Sequence, residues 1–250
     1  MKIIGTGSIL PKKVVTNDML AGFLDTSDEW IRTRTGVVSR HVISDERLED
    51  MAIEAVKMAL DNAGMKAEEL DFIICSNVVN EYVTPQLSCI IQGGIGATCP
   101  CIDINCACAG FIYAVEIAES FYQAGKVRNV LVVSAEEPTR MTDWNDRRTC
   151  VLFGDGAGAA VLAPGDNIKC VKLSASSATD KLWQYRLLHP TPYITKKETD
   201  VPLQMKGQDV FKFAVKAASK DISRVLEEIG HGADEVDHYL LHQANIRIIN

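Results

Sequence analysis

Residues 52–71 read Ala-Ile-Glu-Ala-Val-Lys-Met-Ala-Leu-Asp-Asn-Ala-Gly-Met-Lys-Ala-Glu-Glu-Leu-Asp, and they align without a gap on residues 218–237. The offset is 166 residues, the distance from Asp71 to Asp237. The identical pairs are Ala52 and Ala218, Leu60 and Leu226, Gly64 and Gly230, Ala67 and Ala233, Glu69 and Glu235, and Asp71 and Asp237. An internal repeat of this kind predicts two copies of one structural unit.

Each copy of the repeat has the pattern of an amphipathic helix that ends at a glycine and leads through a short loop to an apolar strand. The expected strands are Phe72 to Cys75 and His238 to Leu241. Helices that alternate with buried strands indicate an α/β protein with parallel sheets. A thiolase-like duplication, an α-β-α-β-α layered fold, is the simplest candidate. Helix-glycine-strand units also recur in other α/β proteins, so chance similarity is the alternative.

The repeat predicts two domains. Residues 1–165 form the first half, which carries the candidate nucleophile, and residues 166–250 form a partial second half with the candidate histidine. Two whole copies need twice the offset of 166 residues, more than the 250 present, so we expect the second repeat to be incomplete and to expose apolar surface.

Composition restricts the functional classes. The net charge of −7 argues against a general nucleic-acid binder, which needs a positive field to displace counterions from phosphates. No apolar run approaches the ~20 residues of a membrane-spanning helix, and no secretory signal is visible. The eight cysteines lie mostly in strand-like runs, unlike a disulfide framework. We therefore expect a globular cytoplasmic protein with no membrane or nucleic-acid partner.

Cys108 is the strongest candidate nucleophile. It lies where the strand-like run from Cys101 gives way to a helical pattern, at the small residues Ala107 to Gly110. At such a turn the backbone amides that begin a helix favour a thiolate and can stabilise an oxyanion, which suits acyl transfer. Two alternatives are a buried packing cysteine and a four-thiolate metal cluster. The cluster would comprise Cys99, Cys101, Cys106 and Cys108, although paired C-x-x-C spacing is lacking.

His242 is the candidate partner of that thiol. It follows the predicted second-copy strand in Leu-Leu-His-Gln-Ala-Asn, residues 240–245, while the first copy has Ser76 at the matching position. The repeat alone does not require a histidine there, which indicates a specialised role, although a histidine at a strand end is often structural.

The glycine-rich segment 154–158 does not predict a nucleotide site. It is followed by the strand-like run Ala159 to Leu162, whereas a phosphate-binding loop should open a helix. We expect no NAD, no metal and no prosthetic group.

The motifs together resemble the β-ketoacyl-acyl carrier protein synthase III family over essentially the whole sequence. The segments that carry the resemblance are Gly5 to Ser8, Thr26 to Gly36, Ala107 to Phe111, Phe153 to Ala160, and His242 to Asn245. The resemblance implies that Cys108 accepts a short acyl group from coenzyme A. Decarboxylation of malonyl-acyl carrier protein then generates the carbanion that attacks this thioester, and His242 donates a hydrogen bond to the thioester oxygen as it becomes an enolate.

The same resemblance implies the substrate-binding residues. Trp30 and Arg147 would hold the adenine of coenzyme A between them, with Arg34 near its phosphates. Arg247 would dock the acidic carrier protein, and Thr84 would lie where a homodimer partner closes the acyl pocket. Positions along the pantetheine tunnel match Thr26, Gly207, Gln208, Phe211, Ala244 and Asn245, and Gln208 replaces an expected asparagine.

Family members also use a second-half asparagine as another donor to the thioester oxygen, expected near position 274, which is 166 beyond Cys108. Because this chain ends at Asn250, we expect acylation to survive better than condensation, with a loss of ~100-fold or more. Two other functions stay open: a related thiolase-superfamily cysteine acyltransferase, including hydroxymethylglutaryl-CoA synthase-like enzymes, or a non-catalytic chain that only binds or dimerises.

Overall fold

The computed structural model describes residues 1–186, 191–193 and 201–250. Its nine described strands are β1 (Lys2–Ile9), β2 (Lys13–Thr16), β3 (Ser39–Val42), β4 (Phe72–Ser76), β5 (Cys101–Ile104), β6 (Val130–Glu136), β7 (Gly156–Ala163), β8 (Leu182–Trp183) and β9 (Gln204–Met205). The described α-helices are α1 (Asn17–Ala21), α2 (Asp28–Thr35), α3 (Leu48–Ala63), α4 (Leu87–Ile95), α5 (Gly110–Gln123), α6 (Gly207–Ile229) and α7 (Ile246–Ile249). No helix in these ranges combines the length and apolar character needed to cross a bilayer.

The main sheet has five strands in the order β1-β7-β6-β4-β5. Strand β4 runs parallel to both β5 and β6, whereas β7 pairs antiparallel with β6 and with β1. The expected α/β class is confirmed, and the predicted parallel pairing is found among β4, β5 and β6, whereas β7 and β1 at the other side of the sheet are antiparallel. The glycine-rich segment leads into antiparallel β7, as its strand-like continuation predicts.

The sheet is buried on both faces. Along β4, Ile73 and Cys75 pack in the core beneath α3, while Phe72 and Ile74 pack in the core beneath α5. Successive side chains of a strand point to opposite faces, so a strand covered on both sides must be apolar throughout. This explains why the run that begins at Phe72 shows no alternation of polar and apolar residues.

Strand β1 lies close to α3 because two of its residues lack side chains. A Cβ on Gly5 would lie 2.3 Å from the carbonyl oxygen of Ala59, and one on Gly7 would lie 2.1 Å from that of Ala55. Neither backbone can move away without opening the core. The Gly5-Thr6-Gly7-Ser8 motif therefore fixes the helix-to-sheet distance.

The two repeated segments form the same local structure up to the strand. Helices α3 and α6 both end at a glycine in the left-handed conformation, Gly64 at φ 61° and Gly230 at φ 70°. A short 3₁₀ turn follows in each, Ala67–Glu69 and Ala233–Glu235. In both turns the glutamate side chain accepts a hydrogen bond from the backbone N–H three residues earlier, at 2.8 Å and 2.6 Å.

The predicted strand from His238 to Leu241 is wrong, because no strand is assigned there. In the first copy β4 is held between β5 and β6, and Asp71 accepts backbone N–H groups of Arg128 and Asn129. Within the described residues no strand lies beside 238–241, and Leu240 is 96% exposed. An extended segment without neighbours cannot form the backbone ladder that defines a strand.

Helix α6 likewise contains no fully buried residue in the described chain, although its pattern is amphipathic. Phe213 on this helix is 55% exposed. The apolar surface expected on the second repeat is therefore present.

Candidate active site

Cys108 lies in the 3₁₀ turn Ala107–Ala109, between β5 and α5. Ala107 has a φ of 47°, the one described non-glycine residue with a positive φ. Such backbone conformations cost ~1–3 kcal/mol and are concentrated at functional sites. The bend turns the chain sharply after Cys106 and leaves the Cys108 side chain exposed at the carboxyl end of the parallel strands.

Gly110 allows this turn to lie against the end of β4. A Cβ at position 110 would be only 1.8 Å from Ser76 Oγ, and that hydroxyl is buried without a hydrogen-bond partner among the described residues. The start of α5 can therefore approach the sheet only because residue 110 is glycine. Ser76, the counterpart of His242 in the repeat, serves here as a packing surface for the turn.

The electrostatic environment of Cys108 differs from the expected one. Burial raises the pKa of the Cys108 thiol, the nearby Glu136 carboxylate raises it further, and the thiol's own backbone amide opposes both effects. Although the side chain is reachable from solvent, surrounding protein atoms remove part of its hydration. The predicted effect of the backbone amide is therefore present but is outweighed, so the thiol form is favoured.

Glu136 is the residue that sequence analysis missed. It ends β6, and its Oε2 accepts a hydrogen bond of 3.0 Å from the backbone N–H of Val78. Burial raises its pKa to about 7, with the Val78 hydrogen bond acting in the opposite direction. The sequence does carry a signal for Glu136, which is a carboxylate at the end of an apolar strand-like run. Parallel strands bring their carboxyl ends to one edge of the sheet, where such a residue comes close to the turn that carries Cys108.

His242 lies between the turn Ala233–Glu235 and α7, with an exposed side chain. Although the side chain is accessible, nearby protein atoms remove part of the water around the imidazole, and this desolvation lowers its pKa and favours the neutral form. In the described chain no hydrogen bond joins it to Cys108, so their pairing stays a prediction. Asn245, expected along the pantetheine tunnel, caps α7: its Oδ1 accepts the N–H of Arg247 at 2.9 Å.

The second cluster of predicted residues surrounds Trp30 on α2. The guanidinium carbons of Arg34 and Arg147 lie 4.6 Å and 4.9 Å from the Trp30 ring centroid. Arg147 also donates to the backbone oxygen of Asp25 and, at 3.3 Å, to its carboxylate. The structure thus brings together all three residues expected to hold the nucleotide end of coenzyme A.

Beside this cluster is an open cavity of about 400 Å³. Its lining comprises Leu24, Asp25, Asn145, Asp146, Arg147 and Arg148. Thr26, the next residue along the chain from this lining, has a buried hydroxyl with no hydrogen-bond partner among the described residues. An unpaired buried hydroxyl is costly unless a ligand or water satisfies it.

Residues of the second half lie at the start of α6 and on α7. Gly207 and Gln208 begin α6 and are exposed, and Ala244 is half-buried. The guanidinium carbon of Arg247 is 5.7 Å from the Phe211 ring centroid, a cation–π contact.

Helix α7 in turn packs on the end of α2. A Cβ on Gly36, at φ 81°, would lie 2.8 Å from the Cβ of Ile246. The His242 segment is therefore held next to the helix that carries Trp30.

The four-thiolate alternative has no support in the geometry. Cys99 is buried against the α3 side of the sheet, whereas Cys108 is exposed beyond the far end of β5. Among the residues with described placement, no three histidine, cysteine or acidic side chains are grouped as metal ligands.

Comparisons with known proteins identify the family of the chain. The model of the family described as 3-oxoacyl-[acyl-carrier-protein] synthase III matches residues 102–180, which include Cys108. The chain is 42% identical over 255 aligned positions to beta-ketoacyl-[acyl-carrier-protein] synthase III of Clostridium perfringens, covering 100% of this chain and 79% of that protein. The corresponding protein of Xanthomonas campestris is 41% identical, with 99% and 78% covered.

Solved structures give the same result. The crystal structure of 3-oxoacyl-[acyl-carrier-protein] synthase III from Aquifex aeolicus superposes with a TM-score of 0.89 at 40% identity, covering 99% of this chain and 78% of that one. The Thermus thermophilus synthase III gives a TM-score of 0.90 at 34% identity, with 100% and 78% covered. Shared sequence over the whole chain and a shared fold have one explanation: the chain belongs to the 3-oxoacyl-[acyl-carrier-protein] synthase III family, whose fold is thiolase-like.

Proposed function

We propose that this chain catalyses the condensation that initiates fatty acid biosynthesis. It joins a short acyl-CoA, such as acetyl-CoA, to malonyl-acyl carrier protein and releases 3-oxoacyl-acyl carrier protein, carbon dioxide and coenzyme A. The observation that carries the proposal is the exposed Cys108 in its strained turn, within a chain 42% identical to a named synthase III.

In the first half-reaction the Cys108 sulfur attacks the thioester carbonyl of acyl-CoA. The carbon–sulfur bond to coenzyme A breaks, and coenzyme A leaves as its thiol with the proton that Cys108 gives up. The backbone N–H of Cys108 is available to stabilise the oxyanion. Burial and Glu136 raise the pKa of the Cys108 thiol, so the thiol form is favoured before acylation.

In the second half-reaction malonyl-acyl carrier protein loses carbon dioxide, and the resulting carbanion attacks the carbonyl carbon of the Cys108 thioester. As the carbon–carbon bond forms, the carbon–sulfur bond to Cys108 breaks, and the released thiolate takes a proton from water to restore the thiol. We assign His242 as the hydrogen-bond donor to the thioester oxygen that becomes an enolate. The lowered pKa of His242 supports this role, since a neutral imidazole can donate one hydrogen bond without carrying charge.

Coenzyme A would bind with its nucleotide end at Trp30. The adenine would stack on the indole and displace the Arg147 guanidinium from that face, so that Arg147 covers the other side of the base. Arg34 remains available for phosphate oxygens. The unpaired Thr26 hydroxyl and the start of α6 at Gly207, Gln208 and Phe211 would line the route of the pantetheine arm, with Ala244 and Asn245 further along it.

The remaining assignments follow the family. Arg247, exposed on α7, would contact acidic groups of the carrier protein, and a second copy of the chain would place its Thr84 at the acyl pocket. The reaction as written needs no cofactor. Eight unpaired cysteines fit a cytoplasmic location. The division at residues 1–165 and 166–250 is supported by the matching caps of α3 and α6.

Two measurements test the proposal. Intact mass after incubation with acetyl-CoA should show one acetyl group on the wild-type chain and none on Cys108→Ala. His242→Ala should still be acetylated but should lose condensation with malonyl-acyl carrier protein by ~100-fold or more. Equal acetylation of wild type and Cys108→Ala would refute the nucleophile, and unimpaired condensation by His242→Ala would refute its role.

A further inference from the structure

Arg40 is the one buried arginine or lysine among the described residues. It lies within β3, and only 5% of its surface is exposed. None of its three hydrogen-bond acceptors is a carboxylate, and its Nε–H has no partner in the described part of the chain. Burying a positive charge without an opposite charge is costly, and an apolar side chain would fill the same space at lower cost. The reason for an arginine here therefore lies in what its guanidinium joins.

The Arg40 guanidinium bonds to three separate segments. Its Nη1 donates to the carbonyl oxygen of Val15 at 3.1 Å, on the strand β2 that pairs with β3. Its Nη2 donates to Oδ1 of Asn17 at 2.8 Å and to the carbonyl oxygen of Val151 at 3.2 Å. Asn17 begins α1, whereas Val151 lies in the 3₁₀ turn Cys150–Leu152. One planar group thus ties together two segments that are far apart in the chain.

Asn17 carries the connection from Arg40 to α2. Its Nδ2 donates to Oδ1 of Asp28, the first residue of α2, and to the carbonyl oxygen of Val37, just beyond the end of that helix, both at 2.8 Å. A guanidinium can only donate, whereas a carboxylate and a carbonyl can only accept, so one orientation of the amide satisfies all three partners. Asn17 is buried, and water does not compete for these bonds. The helix that carries Trp30 is therefore held at both ends.

Val151 carries the connection to Arg147. The backbone N–H groups of Thr149 and Cys150 donate to the carbonyl oxygen of Asp146, at 3.1 Å and 3.2 Å, which closes a turn around Arg147. This turn leads directly into the turn that contains Val151. Cys150 and Val151 also belong to the apolar cluster that packs against α2. The bond from the guanidinium to Val151 therefore helps to fix the backbone of Arg147.

We propose that Arg40 is a positioning residue for the nucleotide end of coenzyme A. It sets the separation between α2 and the Arg147 turn, and hence the width of the space in which the adenine lies between Trp30 and Arg147. The two faces of the base meet residues of different segments, so the strength of stacking depends on how those segments are held. The inference rests on the proposed function, because it requires the adenine to bind at Trp30. Arg40 itself touches no substrate.

Lysine cannot take over this role, although it keeps the positive charge. The guanidinium presents donors from several nitrogens in one plane, which reach Val15 from one nitrogen and both Asn17 and Val151 from another. A lysine ammonium has all its donors on a single nitrogen and cannot keep the three acceptors in place. Arg40→Lys therefore separates the effect of geometry from the effect of charge.

Acetylation of Cys108 by two donors tests the inference. Acetyl-CoA carries the nucleotide, whereas acetyl-pantetheine carries the same thioester without it, and intact mass against time gives the rate for each donor. We expect Arg40→Lys to raise the acetyl-CoA concentration needed for the half-maximal rate by about three- to tenfold, with the maximal rate unchanged. Its rate with acetyl-pantetheine should equal that of the wild type. The control Arg128→Lys, at an exposed position, should change neither donor's kinetics.

Asn17→Asp is a second variant that breaks the same connection at another point. A carboxylate at this position still accepts from Arg40 but cannot donate to Asp28 or Val37, so we expect the same selective loss with acetyl-CoA. In a Trp30→Ala chain, Arg40→Lys should have no further effect, because the stacking that it supports is already absent.

Equal losses with both donors would overturn the inference, since Arg40 would then support the fold of the whole active site. Unchanged kinetics with acetyl-CoA in Arg40→Lys and Asn17→Asp would overturn it as well. Failure of the wild type to be acetylated by either donor would instead refute the proposed function, so the two failures are distinguishable.

Discussion

Replacing Glu136 with glutamine tests the electrostatics of the active site. The amide oxygen of glutamine can still accept the N–H of Val78, which Glu136 Oε2 accepts at 3.0 Å, so the change removes a titrating group and keeps the contact. Because the Glu136 carboxylate also raises the pKa of Cys108, the substitution should lower that pKa. Iodoacetamide should then alkylate Cys108 faster at neutral pH.

The effect on stability has a defined sign and size. Burial raises the pKa of Glu136 from its usual 4.5 to about 7. Below pH 4.5 the carboxyl is protonated in both the folded and the unfolded chain, so its raised pKa costs no free energy of unfolding. Between pH 4.5 and 7 the unfolded chain releases a proton that the folded chain retains, so stability falls as the pH rises. Above pH 7 the loss is complete at about 3 kcal/mol, the free-energy equivalent of this shift.

Urea unfolding of wild type and Glu136→Gln at pH 4, 6 and 8 measures this difference. We expect the free energy of unfolding of the variant, relative to that of wild type, to increase by about 3 kcal/mol from the lowest to the highest pH. Any constant effect of the amide cancels in that comparison. Glu68→Gln, at an exposed position, is the matched control and should show a constant difference. A Glu136→Gln difference that does not change with pH would refute the reasoning.

Three further variants test the placement of the site. Gly110→Ala puts a Cβ 1.8 Å from Ser76 Oγ, so it should lower the free energy of unfolding in urea by about 1–3 kcal/mol and slow the acetylation of Cys108. Adding Ser76→Gly in the same chain should recover part of both losses. Asp103→Ala removes the carboxylate that caps α4 and should cost about 1–2 kcal/mol, with Asp103→Asn losing less; an unchanged urea midpoint would contradict the cap. Trp30→Ala should weaken coenzyme A binding by roughly tenfold in calorimetry, with Trp30→Phe intermediate, and unchanged affinity would exclude stacking.

The correct predictions from sequence concern local features. The glycine caps at Gly64 and Gly230, the buried strand from Phe72 and the turn at Cys108 all form where the pattern places them. Each depends on contacts within a few residues, such as a carbonyl bonded to an amide one turn away or a glycine free to adopt a positive φ. Such features are encoded near the place where they form.

Predictions that depend on distant neighbours were less successful. The second-copy segment 238–241 has the sequence of a strand, but a strand requires an adjacent chain, and none lies beside it in the described residues. The net shift of the Cys108 pKa also depends on such a neighbour, because burial and the Glu136 carboxylate outweigh the predicted effect of the amide. The amide that lowers the pKa of the thiol belongs to the same segment as Cys108, whereas the Glu136 carboxylate that raises it lies on another strand.

Residue identity and short-range spacing were enough to identify the family and the repeated helix-glycine unit and to single out Cys108 as the candidate nucleophile. Three other features emerge from the folded chain alone: Glu136 lies near enough to Cys108 to raise its pKa, Arg34 and Arg147 meet at Trp30, and Cys89 touches Cys101. Charge interaction, stacking and sulfur contact all depend on distances of a few ångströms between segments far apart in the chain. Such distances are set by how the layers pack.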